Sequence, residues 1–156
     1  MESALLQAML AFETRAAQAN LNGLTHDDAL AQPPGGGNCV NWMLGHIVTH
    51  RNHMLRLMGR GPVWGAELDA RYDRGSAPVT DGDGAVPLDQ LLEAMERARA
   101  ALSDGFAEMT PERLAEETGR GGPLGQRLAL MLGHELYHVG QISILRRLLG
   151  HPGAIK

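Results

Sequence analysis

The chain is short of the residues that mark several common protein classes. It has one cysteine, Cys39, so no disulfide can form within it and a reducing compartment is the natural setting. Two Trp, two Tyr and two Phe in 156 residues leave no platform on which nucleic-acid bases could stack. There is no cationic excess to track a phosphate backbone: 14 Lys and Arg stand against 18 Asp and Glu, a formal net charge of -4. The most apolar stretch, LALMLGHELYHVGQISILRRLLG, is interrupted by His, Glu, Gln and Arg, which excludes an ordinary membrane span. The opening MESALLQAML has neither the basic flank nor the apolar run of a secretory signal. The expectation is a soluble cytoplasmic protein that binds neither nucleic acid nor membrane.

What remains is a helix-forming composition. Hydrophobic residues make up 44%, and with so few aromatics the core falls to Leu, Met, Ala and Val. The length fits one domain, residues 1–156. A first helix is predicted from a Ser3 cap, with Leu5, Met9, Phe12, Ala16 and Ala19 as its core face, ending at Asn22-Gly23. Thr25 to Asp28 reads as a capping box for a short turn. A second helix starts at an Asn38 cap after PPGGG and runs to about Met58, with Gly45 placed for close helix approach. Residues 59–86 read as a long Gly-rich connection, interrupted at VWGAEL, that can act as a lid. A third helix opens with Pro87 and buries Leu88, Leu91, Leu92, Met95, Ala98, Leu102 and Phe106. TPERLAEET holds one short helix, and the last helix runs from Pro123 to Leu149. Four amphipathic helices and no strand predict an all-α four-helix bundle. The long middle connection lets its second and third helices depart from simple up-down order.

Two helices carry the histidines. On the last, His134, Glu135 and His138 spell H-E-x-x-H within a stripe of Met131, His134, His138, Gln141, Leu145 and Leu148. Two imidazoles one turn apart on a partly apolar face need partners for four nitrogens, and one metal ion satisfies a nitrogen of each. A protease reading fails on spacing. The third His of one protease class would fall at Ile144 and its Gly at Gln141, and no Asp or Glu follows His138. His151 lies beyond the helix end. The third ligand therefore comes from upstream, where Trp42, His46, His50 and His53 follow at helical steps. His46, beside Gly45, is the first choice. His50 is a ligand, a group behind the ligands, a proton carrier or a solvated residue, and His53 lies nearer the surface.

N-W-M-L-G-H at 41–46 and H-E-L-Y-H-V-G-Q at 134–141, continued by ISILRRLLGHPG, resemble the DinB-like (YfiT-like) superfamily. The resemblance spans nearly the whole chain. It implies a four-helix bundle with His46, His134 and His138 as ligands of one divalent ion, most often zinc or nickel, with open positions for water or substrate. It also implies frequent homodimers. Characterised relatives of this kind act with low-molecular-weight thiols, as bacillithiol or mycothiol S-transferases or as a thiol-dependent maleylpyruvate isomerase. His50 and His53 are additions to the motif.

Thiol S-transfer on a small molecule is the activity expected, with a non-catalytic metal-binding or dimerisation module and a metal-dependent hydrolase as alternatives. Glu135 lies about 100° around the helix from His134 and reads as salt-bridged or behind the ligands rather than as a base. Gln141 orients a ligand or bonds between helices. Cys39 reads as packing, and Arg146 and Arg147 as helix-end charges meeting the dipole and solvent.

Overall fold

The computed structural model describes residues 2–80, 84–119 and 121–155, and among them no strand forms. Seven helices follow in order: α1 (Glu2–Leu21), α2 (His26–Leu30), α3 (Val40–Leu57), α4 (Ala66–Tyr72), α5 (Leu88–Glu108), α6 (Pro111–Leu114) and α7 (Leu124–Leu148). The four long ones, α1, α3, α5 and α7, close a ring in which α1 meets α7 and α5, and α3 meets α5 and α7.

Side-chain contacts fix their directions. Asn41 reaches Val86, Arg51 reaches Met95, and Met58 lies against Gly105, so α3 and α5 run parallel. Ser3 bonds the carbonyl of Phe106 and Gln7 that of Ser103, which sets α1 antiparallel to α5. His46 faces His138 while His50 faces His134, so α3 and α7 are antiparallel. Two parallel neighbours in sequence need a connection as long as the helices themselves. The segment between α3 and α5 supplies it, and the departure from up-down order follows.

Several local expectations change. The connection is not all loop: AELDARY forms α4, held by Asp69, which accepts from Asn52 Nδ2, Trp64 Nε1 and Arg56. Ser3 lies inside α1 and does not cap it. Cys39, not Asn38, occupies the α3 cap position, and its buried thiol points at the Val79 carbonyl. Pro87 and Pro123 stand at the caps of their helices, one position earlier than the first turn. The Thr25–Asp28 capping box forms as expected.

The buried face of α1 is a different one. Leu5 and Phe12 are more than half exposed, whereas Leu6, Leu10, Glu13, Ala16, Ala17, Asn20 and Leu21 are buried. Leu92 of α5 is also on the outside. The α1 reading went astray because Glu13 and Asn20 interrupt the true apolar face. Glu13 is buried because Arg51 of α3 is there to pair with it, and Glu135 of α7 closes the group through Arg51 Nε at 3.0 Å. This charged layer divides the core in two. Leu44, Ile47, Leu91, Val139 and Ile142 lie on one side, and Leu10, Met54, Leu102, Phe106 and Leu128 on the other.

Arg146 also departs from a solvent role. It is buried, with Nη1 donating to the carbonyls of Asn20 and Asn22 and Nε to that of Pro152, so it ties the end of α1 to α7.

Gly45 is where α4 closes on α3. A Cβ there would sit 2.2 Å from the Tyr72 ring. The ring cannot retreat freely, since its hydroxyl donates to Asn41 Oδ1 and accepts from the Val86 amide. The close approach is thus made by an aromatic ring rather than by a neighbouring helix backbone. Gly45→Ala is expected to lose about 1–3 kcal/mol through overpacking, read as a lowered denaturation midpoint. A midpoint equal to wild type would show that Tyr72 does not bear on α3.

Candidate metal centre

His46 comes from the first half of α3 and His134 and His138 from the middle of α7, one layer above the Arg51 clasp. The antiparallel packing of the two helices brings the three imidazoles together although 88 residues separate His46 from His134. His134 Nε2 lies 3.0 Å from His138 Nε2 and 3.4 Å from His46 Nε2. Among the described residues this is the group of His, Cys, Asp or Glu side chains placed to hold an ion, with ligand atoms all within 4.8 Å of one another. Two nitrogens each about 2.0–2.1 Å from one tetrahedral zinc would stand roughly 3.4 Å apart, so the spacing fits.

The opposite ring nitrogens are already committed. His46 Nδ1 lies 2.8 Å from the Tyr72 carbonyl, which can only accept, so Nδ1 carries the proton and Nε2 presents a lone pair. His138 Nδ1 lies 2.8 Å from Gln141 Oε1, with the same consequence. Gln141 is itself steadied by donating to the Tyr137 hydroxyl at 3.2 Å. Trp42 stacks on the His46 ring at 4.8 Å and 11°, and its indole N–H donates to Ser76 Oγ. A proton on His134 can satisfy one neighbouring lone pair but not both. A cation satisfies all three, which is the observation that fits a metal to these residues. Such ordering of ligand tautomers by outer partners is the usual companion of a metal site.

Burial favours the neutral forms of His46 and His138. It pulls His138 down to about 4 and His46 below the ordinary imidazole value, with the neighbouring histidines adding to the effect. His46 and His138 are buried, while His134 is exposed at the edge of the site. The expectation of one apolar stripe on α7 is corrected accordingly. The buried face of that helix passes through Leu128, Leu132, Glu135, Val139 and Ile142, with the histidines at its border and Leu148 outside.

The site opens into a cleft of about 760 Å³, with Trp42, His50, Asp73, Arg74 and Tyr137 among its walls. His50 is the additional histidine that reaches this cleft, its ring 5.0 Å from that of His134, and burial drives it down to about 3. Its Nδ1 is buried without a hydrogen-bond partner. His53 is half-buried and outside the cleft.

Glu135 faces the other way. It is fully buried and bonded to Arg51, away from the residues that line the cleft. Burial lifts its carboxyl to about 8 against the pull of Arg51, and Glu13 is raised in the same way. One guanidinium thus serves two carboxyls, each with an Oε1 lacking any partner.

Several contributors escaped the sequence reading: the Tyr72 carbonyl, Arg51, Tyr137 at the cleft rim, and Asp73 and Arg74 in the cleft wall. The first has no side-chain signature at all. Arg51 lies between His50 and Asn52 in a run that reads as polar. Tyr137 sits inside H-E-x-x-H at a position the motif leaves free.

An all-helical chain with three convergent histidines on an open cleft is a candidate mononuclear metalloprotein. The DinB superfamily profile matches residues 9–142, and the chain belongs to that superfamily. A crystal structure of a conserved protein from Enterococcus faecalis matches with a TM-score of 0.74, covering 94% of this chain and 96% of that one. At 16% identity the likeness is one of fold. No curated protein matches the chain.

Proposed function

We propose that this protein is a metal-dependent enzyme acting on small molecules, of the thiol S-transferase type. His46, His134 and His138 would hold one divalent ion, zinc or nickel. The four long helices are read as a four-helix bundle forming one domain. The observation that carries the proposal is the convergence of three Nε2 atoms at the floor of an open cleft, a donor set made of imidazoles alone. Uncharged donors leave a bound divalent ion its full charge, and such an ion lowers the pKa of a thiol or water on its open side.

The chain's own residues do the rest. The Tyr72 carbonyl and Gln141 hold protons on the far nitrogens, so His46 and His138 keep their lone pairs towards the site. Trp42 fixes the plane of His46 and forms an apolar wall. Arg74, at the mouth, offers a cation to an anionic thiol or acceptor. In the reaction class proposed, sulfur forms a bond to an electrophilic carbon and a leaving group departs.

The test is a thiol-consumption assay on metal-loaded protein. It pairs several low-molecular-weight thiols with an activated aryl halide and an epoxide, with an activated ester run alongside. Product formation with at least one thiol, lost in His134→Ala, is the expected result. Ester cleavage without thiol consumption would replace S-transfer by hydrolysis. Inactivity in every assay would leave a binding module.

A further inference from the structure

The line of α7 that carries His134 and His138 does not end with them. It continues at steps of three and four through Gln141, Leu145 and Leu148. Beside that continuation lies a second cavity of about 220 Å³. It shares Gly37, Asn38, Met43 and Gln141 with the histidine cleft, so the two form one continuous depression. The chemistry changes along its length. The cleft end holds the imidazoles, with Asp73 and Arg74 in its walls. The far end is apolar, bounded by buried Leu145, by Ile144 and Leu148, and by Pro33. No acidic or basic residue lines that end, and its two polar side chains, Asn38 and Gln141, both belong to the shared stretch.

Two features leave this track open. Gly36 and Gly37 line it with main chain alone, and their φ of 91° and 116° commit both positions to glycine. Ile144 and Leu148 remain 62% and 60% exposed, uncovered by any other element of the chain.

We propose that the track takes an uncharged apolar arm of the substrate. The molecule bound is then amphipathic, with a polar reactive head at the three imidazoles and an alkyl or aryl tail lying from Gln141 to Leu148. Seven residues of helix give that tail a run of about 10 Å. Gln141 is the sill between the two ends. Its amide is committed to His138 Nδ1 and the Tyr137 hydroxyl, neither of which borders the track. An apolar arm gains by displacing water from Leu145, Ile144 and Leu148, whereas a charged arm would meet no counter-charge among the lining residues. This inference rests on the histidine cleft being a metal site and is independent of S-transfer.

The experiment is isothermal titration calorimetry of the full chain, loaded with zinc, against straight-chain alkyl hydroxamates of two, four, six and eight carbons. A hydroxamate binds zinc through two oxygens and needs no thiol, so the readout does not depend on the reaction. Affinity is expected to rise about two- to fourfold per added methylene, and about 50-fold or more across the series. Ile144→Asp/Leu148→Asp is expected to shrink that gain to under about fivefold. Both positions are exposed, so the fold should tolerate the change; zinc content and thermal midpoint are read on the same samples. Should the double variant fail to fold, Leu148→Gln alone replaces it, with a smaller loss in the same direction. An affinity that ignores chain length, or a gain the variant keeps, overturns the proposal and leaves the metal centre in place. A variant that alters the sedimenting mass but not the gain assigns this face to a second copy of the chain and likewise overturns it. Failure to bind zinc, or any hydroxamate, overturns the metal centre and the proposal together. A steep gain beside an inactive thiol assay supports the track and removes S-transfer alone.

Discussion

Wild-type protein purified without a tag and resupplied with zinc or nickel is expected to retain about one ion per chain. His46→Ala, His134→Ala and His138→Ala should each retain essentially none. The argument is geometric. The three Nε2 atoms surround one point, and two have their opposite nitrogens engaged by acceptors 2.8 Å away. Removing any one ligand leaves two, which rarely hold an ion in water. Gln141→Ala keeps all three ligands but frees the His138 ring, and the loss expected is about 10- to 100-fold in affinity. His50→Ala should bind normally, since its ring lines the cleft without completing the triad. Burial disfavours the protonated forms of His138 and His46, so at these two positions protons compete less with the ion than they would at free imidazoles. Elemental mass spectrometry after dialysis reads all of this. Stoichiometric metal in the three alanine variants would remove the site, and a wild type that takes up nothing would do the same.

Arg51→Leu is expected to cost about 3–5 kcal/mol, the range for breaking a buried ion pair from one side. The whole stability of a domain this size is about 5–15 kcal/mol, so the variant should be marginal. The cause is what remains. Glu13 and Glu135 are both fully buried, and without the guanidinium neither has a cation to face. The Met95 carbonyl loses its donor as well. Replacing all three residues together, as Glu13→Leu, Arg51→Met and Glu135→Leu, should recover much of the loss, because an apolar layer needs no pairing. Urea denaturation compares the three proteins. A loss under about 1 kcal/mol for Arg51→Leu would show that water reaches the carboxyls and that the layer is not sealed.

The same residues show what could be read from the letters and what could not. The i, i+4 spacing of His134 and His138 placed two candidate ligands on one side of a helix. His46 followed because α3 had a histidine-bearing face and α7 had no further donor. The long connection left room for a departure from up-down order without requiring one, and α3 and α5 run parallel. The burial of α1 was misread because its core face carries Glu13, a residue that periodicity scores as solvent-facing. Its burial makes sense only once Arg51, 38 positions away, is in place. Arg146 was misread for a related reason, since its acceptors are backbone carbonyls on another helix. The short α4 was hidden by the glycines and prolines around it. In the misses at Glu13 and Arg146, a polar group answered to a partner distant in sequence. Local patterning reports burial of apolar groups and is blind to such pairings.

The charged layer at Arg51 has one more consequence. It works as a bulkhead: the end of the molecule built on Leu10, Met54 and Phe106 forms an apolar cluster separate from that of the end carrying the histidines, with the half-buried Val63 packed against both. Changes beyond the bulkhead should leave ligand distances untouched so long as Glu13, Arg51 and Glu135 stay in register. The far end is thus a chassis that can be lengthened, recoloured or fused to another module, while the histidine cluster keeps its place on the near one.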